Sequence, residues 1–410
     1  MPLIREIKAL AKEMTAWRQH LHAHPELSMK EHNTADFLEK TLKSFGLKVE
    51  RLGLTGVVAT LEGKNNMSGR SIMLRADTDA LPIAEKTGFP YASKNPDVMH
   101  ACGHDGHMAM LLGAAKHLSE HNDFDGTVHF LFQPGEETGE GAAHMLAEGL
   151  LEKFPTDEIY GLHNIPNVPL GIMGTRKGDM LSAADGFTVT FCGKGGHAAH
   201  PHMANDLLYA AAKSVTALKD HYKLRVVPGD KAVLTVSTLH TASKATNVMS
   251  ETVTISGTFR CYNHLTHVML KNFLERTVQN AAHDAGGIAK IEYECSFPAL
   301  KNTRLQTSTA IQAARQVVNP LLAIPFVPRT TGSDDFAYLS QQRPGNYMAM
   351  GTGTIAGMLG FKKVYGLHSP KFDFNDAALT TGASYWVKLA QHALKPQAQK
   401  RHSFTSSRSH

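Results

Sequence analysis

Apolar and polar positions change period repeatedly along this 410-residue chain, and those changes mark out its elements. Residues 3–45 carry apolar positions at helical spacing in two runs. Pro25 punctuates the stretch between them, where Asn33 or Thr34 would cap the second helix. Short apolar runs at Val57–Leu61 and Ser71–Asp77 predict strands, with Asp77 and Asp79 at the end of the second. Helical spacing returns over Met108–His121. A buried strand is then expected at Gly126–Phe132, a helix at Ala142–Leu151 and a strand at Asp157–His163. Short apolar strands alternating with helices predict an α/β domain with a mostly parallel sheet.

The middle of the chain has a different rhythm. Strands are predicted at 186–192, 231–239, 252–260 and 288–295, with helices at 206–221 and 265–285. That β-α-β-β-α-β order is the split βαβ pattern. It sets residues 184–297 apart as a ferredoxin-like α+β domain inserted into the first, whose two parts are then 1–183 and 298–394. Residues 395–410 are polar, basic and aperiodic, and read as a disordered tail.

Polar clusters follow the strand-like runs. Met99–His107 holds Cys102, His100, His104, His107 and Asp105 around Gly103 and Gly106, just before the predicted helix. Thiolate with imidazole suits zinc, cobalt, nickel or manganese better than magnesium or calcium. Glu136 and Glu137 sit on a turn set by Pro134 and Gly135, where one carboxylate can bind metal while its neighbour acts as general base. His163 closes a strand, and His368 lies in a second Gly-Leu-His sequence. Ligand crevices of open α/β sheets lie at the carboxyl ends of the strands, where all of these can converge. Cys102, His104, Glu137, His163 and His368 would serve two cations if a thiolate or carboxylate bridges them. With 24 histidines in the chain, a single one carries little weight. The bland readings are a reduced cysteine in a buried turn, an acidic helix start and structural histidines.

Composition narrows the rest. Four cysteines make no disulfide framework, and the amphipathic start has no signal-peptide core, so a cytoplasmic location is expected. The net charge of +5 is spread out, without the basic patch and stacking aromatics of a nucleic-acid binder, and no apolar run is long enough to span a bilayer.

The segments RQHLHAHPELS (18–28), RADTDALPI (75–83), MHACGHDGH (99–107), FQPGEE (132–137), GLHN (161–164), GKGGHAAHPH (193–202), GSDDFAY (332–338) and LHSPKFDFND (367–376) cover nearly the whole chain in order. In them the chain resembles the co-catalytic metallo-amidohydrolases that include hippurate hydrolase, N-acyl-amino-acid amidohydrolases, N-acetyl-diaminopimelate deacetylase and auxin-conjugate hydrolases. The resemblance implies a phosphorylase/hydrolase-like catalytic domain with a mostly parallel mixed sheet, and an inserted lid and dimerisation domain. It implies two divalent cations on Cys102, His104, Glu137, His163 and His368, with Glu136 as catalytic base. His197 matches a lid histidine that supports the oxyanion, often across a homodimer. Asn247 and Arg260 match positions near the substrate carboxylate. Arg75 replaces a ligand histidine of wider relatives, so Asp77 is expected to support the site rather than ligate, and Asp105 to orient a ligand imidazole. Thr78, His200 and Asp334 depart from the family's usual residues away from the ligands. The implied reaction is hydrolysis of an N-acyl amino acid to a carboxylic acid and a free amino acid. A metallo-dipeptidase or carboxypeptidase is the alternative. A non-catalytic metal-binding protein is the third reading, against which Glu136 stands, since a storage site needs no spare base.

Overall fold

The computed structural model describes residues 3–361 and 363–395. Most of the tail read as disordered, residues 396–410, therefore lies outside the described residues. The main sheet has eight strands. Their spatial order is Lys48–Leu52, Gly56–Glu62, Thr127–Gln133, Ser71–Asp77, Glu158–Pro169, Gly345–Gly353, Met173–Gly174 and Ala323–Ile324. The central strands, from Thr127–Gln133 to Gly345–Gly353, run parallel, and antiparallel pairs flank them.

Both faces of this sheet are covered, which explains why its strands read as continuous apolar runs. Side chains alternate between two cores. Ile72, Leu74 and Ala76 join one with the helices Ala11–Ala23, His104–Glu120 and Leu379–Ala393, while Met73 joins the other with Met145 and Phe336. Arg75 shares the parity of Met73 and points away from the larger core.

Residues 183–297 form a separate four-stranded antiparallel sheet, ordered Val233–Thr241, Thr252–Cys261, Ala183–Cys192 and Ile288–Phe297. Helices Leu207–His221 and His264–Asp284 contribute Ala211, Leu218, Leu270 and Leu274 to its core. Cys192 and Cys261 are free there, and the Cys295 side chain lies outside what is described. The segments that join the two sheets, Gly178–Leu181 and Leu300–Asn302, pair antiparallel with each other. Among the described residues, no helix is long and apolar enough to cross a membrane.

Two local expectations are corrected. The second helix begins at His32, ahead of Asn33 and Thr34, and those residues do not cap it. The Glu26 carboxylate instead accepts from the backbone N–H groups of Asn33 and Thr34, at 3.2 and 2.8 Å. The third long helix starts at His104, not after the Cys/His cluster. Gly103 makes that start possible. Its φ of +96° is left-handed, and a Cβ there would lie 2.7 Å from Asn164 Oδ1.

Candidate active site

The helix start at His104 puts Cys102 on the preceding turn and His104 at the helix end facing the sheet. His104 Nδ1 is 2.8 Å from the backbone carbonyl of Asp79. A carbonyl only accepts, so Nδ1 carries a proton, and Nε2 is the nitrogen left to meet a cation once any proton on it is displaced. That Nε2 is buried and without a hydrogen-bond partner, 3.9 Å from Glu137 Oε1 and 4.0 Å from Glu136 Oε2. His163 repeats the device: Nδ1 lies 2.8 Å from Asn164 O, and Nε2 lies 3.5 Å from Cys102 Sγ. His368 Nε2 approaches Glu137 Oε1 at 3.4 Å. Its backbone has φ +64°, a strained value for histidine, and its N–H donates to Ala101 O at 2.8 Å.

Donor atoms of Cys102, His104 and His163 lie within 4.8 Å of one another, as do those of Cys102, Glu137 and His368, and those of His104, Glu136 and Glu137. Cys102, His104 and Glu137 each belong to two of these groups, so the groups form one continuous cluster. Glu137 Oε1 is a buried carboxylate oxygen that faces His368 Nε2 on one side and His104 Nε2 on the other. The buried His104 Nε2, without a hydrogen bond and about equally near Glu136 and Glu137, fits a cation better than a water-filled gap. The donor set is the soft and borderline one of zinc-like ions.

The charges agree. Burial and the neighbouring His107 push His163 down to about 3, so it stays neutral, as a ligand imidazole must. Hydrogen bonds with Cys102 and Glu137 push His368 up to about 10. Burial opposes the charge on His104, but Asp77 and Cys102 overcome it and raise its pKa. Burial, then Asp334 and Glu137, hold Glu136 well above the usual carboxylate range against the pull of His104. Without cations the site therefore holds protons that metal binding must displace.

Supporting residues differ in part from the expectation. Asp77 Oδ1 lies 2.6 Å from His107 Nδ1, and Arg75 Nη1 donates to Asp77 Oδ2 at 2.7 Å, leaving Asp77 3.8 Å from His104 Nε2. Both nitrogens of His107 are engaged, since Nε2 meets the Asn164 backbone N–H at 3.1 Å. Asp105 is a correction. One residue past His104 it has turned about 100° around the helix, and it reaches no ligand imidazole. Its Oδ2 lies 2.8 Å from His22 Nδ1 and 3.7 Å from Arg18 Nη1. Sequence reading missed Arg18, and it placed Asp79 at the crevice without a role; its carbonyl fixes His104 and its Oδ2 accepts from the Glu137 N–H at 2.9 Å.

The residues of the four-stranded unit stand apart from this cluster. His197 and Asn247 are exposed beside a short antiparallel ladder in which His197 pairs with Val248 and, just past it, the Ala198 N–H donates to Asn247 O. Arg260 Nη1 donates to Thr331 O at 2.8 Å, crossing to the other part of the chain.

The His22–Asp105 pair gives a pH test. Burial opposes the charge on His22, yet Asp105 outweighs it and lifts the pKa to about 9. The folded value exceeds the unfolded one of about 6.5, so the stabilisation is full below that pH and is lost as pH rises through about 9. It is on the order of 3 kcal/mol. The thermal stability of the wild type should fall between these limits, and His22→Gln should flatten that slope. Equal slopes would remove the ion pair from the account.

Two buried imidazoles held by main-chain carbonyls, a cysteine sulfur between them and adjacent carboxylates are the donor set of a metal-dependent hydrolase. The family model described as Peptidase family M20/M25/M40 matches residues 73–392, and the chain belongs to that family. N-acetyl-L-cysteine deacetylase of Bacillus subtilis (strain 168) is 36% identical over 394 residues, 95% of this chain and 90% of that protein. Hippurate hydrolase of Campylobacter jejuni is 34% identical over 405 residues, 96% and 100%. A solved dinuclear metal-binding peptidase of the M20 family from Bacillus subtilis aligns with a TM-score of 0.78 and 29% identity, over 94% of this chain and 99% of that one. The protein is thus an amide-bond hydrolase of this family.

Proposed function

We propose that the protein hydrolyses N-acyl amino acids, such as N-acetyl or N-benzoyl derivatives, to a carboxylic acid and a free amino acid. The observation that carries this is His104 Nε2, buried and unpartnered, 4.0 Å from Glu136 and 3.9 Å from Glu137. The names of the deacetylase and hippurate hydrolase relatives support the substrate class. Cys102, His104, Glu137, His163 and His368 would hold two divalent cations, zinc, manganese, cobalt or nickel. When bound, these would polarise the scissile carbonyl and acidify the attacking water. Glu136 takes the proton from that water and passes it to the departing amine. Residues 184–297 act as lid and dimerisation domain of a homodimer, from which His197 supports the oxyanion. Asn247 and Arg260 receive the substrate carboxylate, Arg260 with the donors that Thr331 leaves free. The enzyme works in the cytoplasm on small molecules.

The test is release of amino acid from N-acetyl and N-benzoyl derivatives by metal-stripped protein, before and after adding each cation. Activity that returns with a cation is expected. Cleavage of free dipeptides or of peptide C-termini, with every N-acyl derivative inert, would overturn the reading in favour of a peptidase.

A further inference from the structure

The segments that carry His163 and His368 continue into a neighbouring cavity. Pro166 lies three residues past His163 on the same strand, roughly 10 Å at strand spacing, and Lys371 lies three residues past His368. With Lys86, Thr352, Lys363 and Tyr365 they line a volume of about 570 Å³. Lys86 is tied to the same segment, its backbone N–H donating to Pro370 O at 2.7 Å.

The lining is cationic. Lys363 Nζ lies 5.1 Å and Lys371 Nζ 5.8 Å from the centre of the Tyr365 ring, so one aromatic gathers two ammonium groups. Asp373 is the acid of this lining, and it is committed elsewhere. It accepts from the Tyr91 hydroxyl at 3.2 Å and lies 3.6 Å from Arg18 Nη1. The three ammonium groups thus face the cavity without a matching acid in its lining.

We infer that this cavity is a specificity subsite for acyl groups whose far end carries a carboxylate, which the lysines bind by charge-assisted hydrogen bonds. The inference rests on the N-acyl amino acid reading and names the acyl class within it. A monocarboxylic acyl chain of equal length would leave the ammonium groups to solvent.

The experiment compares N-adipoyl and N-hexanoyl derivatives of the amino acid best released from its N-acetyl form. The two chains have equal length and differ in the terminal carboxylate. The wild type should favour the adipoyl substrate by about tenfold in kcat/KM, expressed in KM and shrinking as salt screens the lysines. The Lys363→Met/Lys371→Met double variant should bring the ratio close to one. Because the ratio is internal to each protein, partial misfolding lowers both terms and leaves it unchanged. A wild-type ratio of one or less, or a ratio that survives in the double variant, overturns the subsite. If N-acetyl, N-benzoyl and N-hexanoyl derivatives are all inert, the function reading has failed, and the subsite falls with it.

Discussion

Glu136→Gln is expected to keep its cations and lose about 10²–10⁴-fold in kcat, the range a general base supplies. The substitution is isosteric, in a residue only 6% exposed. It leaves Glu137, the carboxylate within 3.4 Å of His368 and 3.9 Å of His104, in place. It also removes a charge from a crowded corner. Donor atoms of Glu136, Asp334 and Asp335 lie within 4.8 Å of one another, and burial with those neighbours already holds the Glu136 pKa high. A raised folded-state pKa means that ionising the group costs stability above its unfolded value. The metal-free variant should therefore unfold at the same or a higher temperature at neutral pH. Metal content by mass spectrometry, steady-state kinetics and a thermal melt decide the matter. Turnover near wild type with metal bound would take the base role from Glu136.

His104→Ala should have the opposite signature: loss of bound cation first, and of activity as a consequence. His104 is fully buried with its Nδ1 pinned on Asp79 O, so the substitution removes a fixed donor from the centre of the cluster. Metal stoichiometry after gel filtration should fall, with turnover down by at least about 10²-fold, as expected when a ligand rather than a supporting group is removed. Cys102→Ser gives an independent reading, since cobalt-loaded wild type should show a thiolate-to-metal absorption band that the variant lacks. Full stoichiometry in His104→Ala, or the same band in Cys102→Ser, would require another ligand set.

The candidate ligands were legible because their chemistry is written locally. Cys102 and His104 flank a glycine that only a special backbone would demand, and Glu136–Glu137 follow a strand and a Pro-Gly turn. The alternation of apolar runs was legible for a similar reason, since a sheet covered on both faces needs continuous apolar strands. What escaped depends on long-range partners. Asp105 was expected beside a ligand imidazole, yet helical geometry turns it toward His22 and Arg18, 83 and 87 residues earlier in the chain. Asp79 acts on His104 through a main-chain carbonyl, which carries no side-chain signature. The helix start at His104 was hidden because a left-handed Gly103, rather than a Ser, Thr, Asp or Asn, precedes it.

The insertion of residues 183–297 between His163 and His368 also has a bearing on synthesis. Four candidate ligands, from Cys102 to His163, leave the ribosome well before the fifth. Roughly 200 residues separate His163 from His368, some 10–40 s at translation rates of about 5–20 residues per second. During that interval the Gly345–Gly353 strand is missing from the sheet edge at Glu158–Pro169, beside the strand that carries His163. The nascent chain thus carries a thiol and two imidazoles with no completed pocket around them. Folding of the inserted unit, whose strands and helices are contiguous in sequence, fills the wait. The site closes only when the last quarter of the chain arrives, so a prematurely terminated product would hold most of the donors and none of the finished geometry.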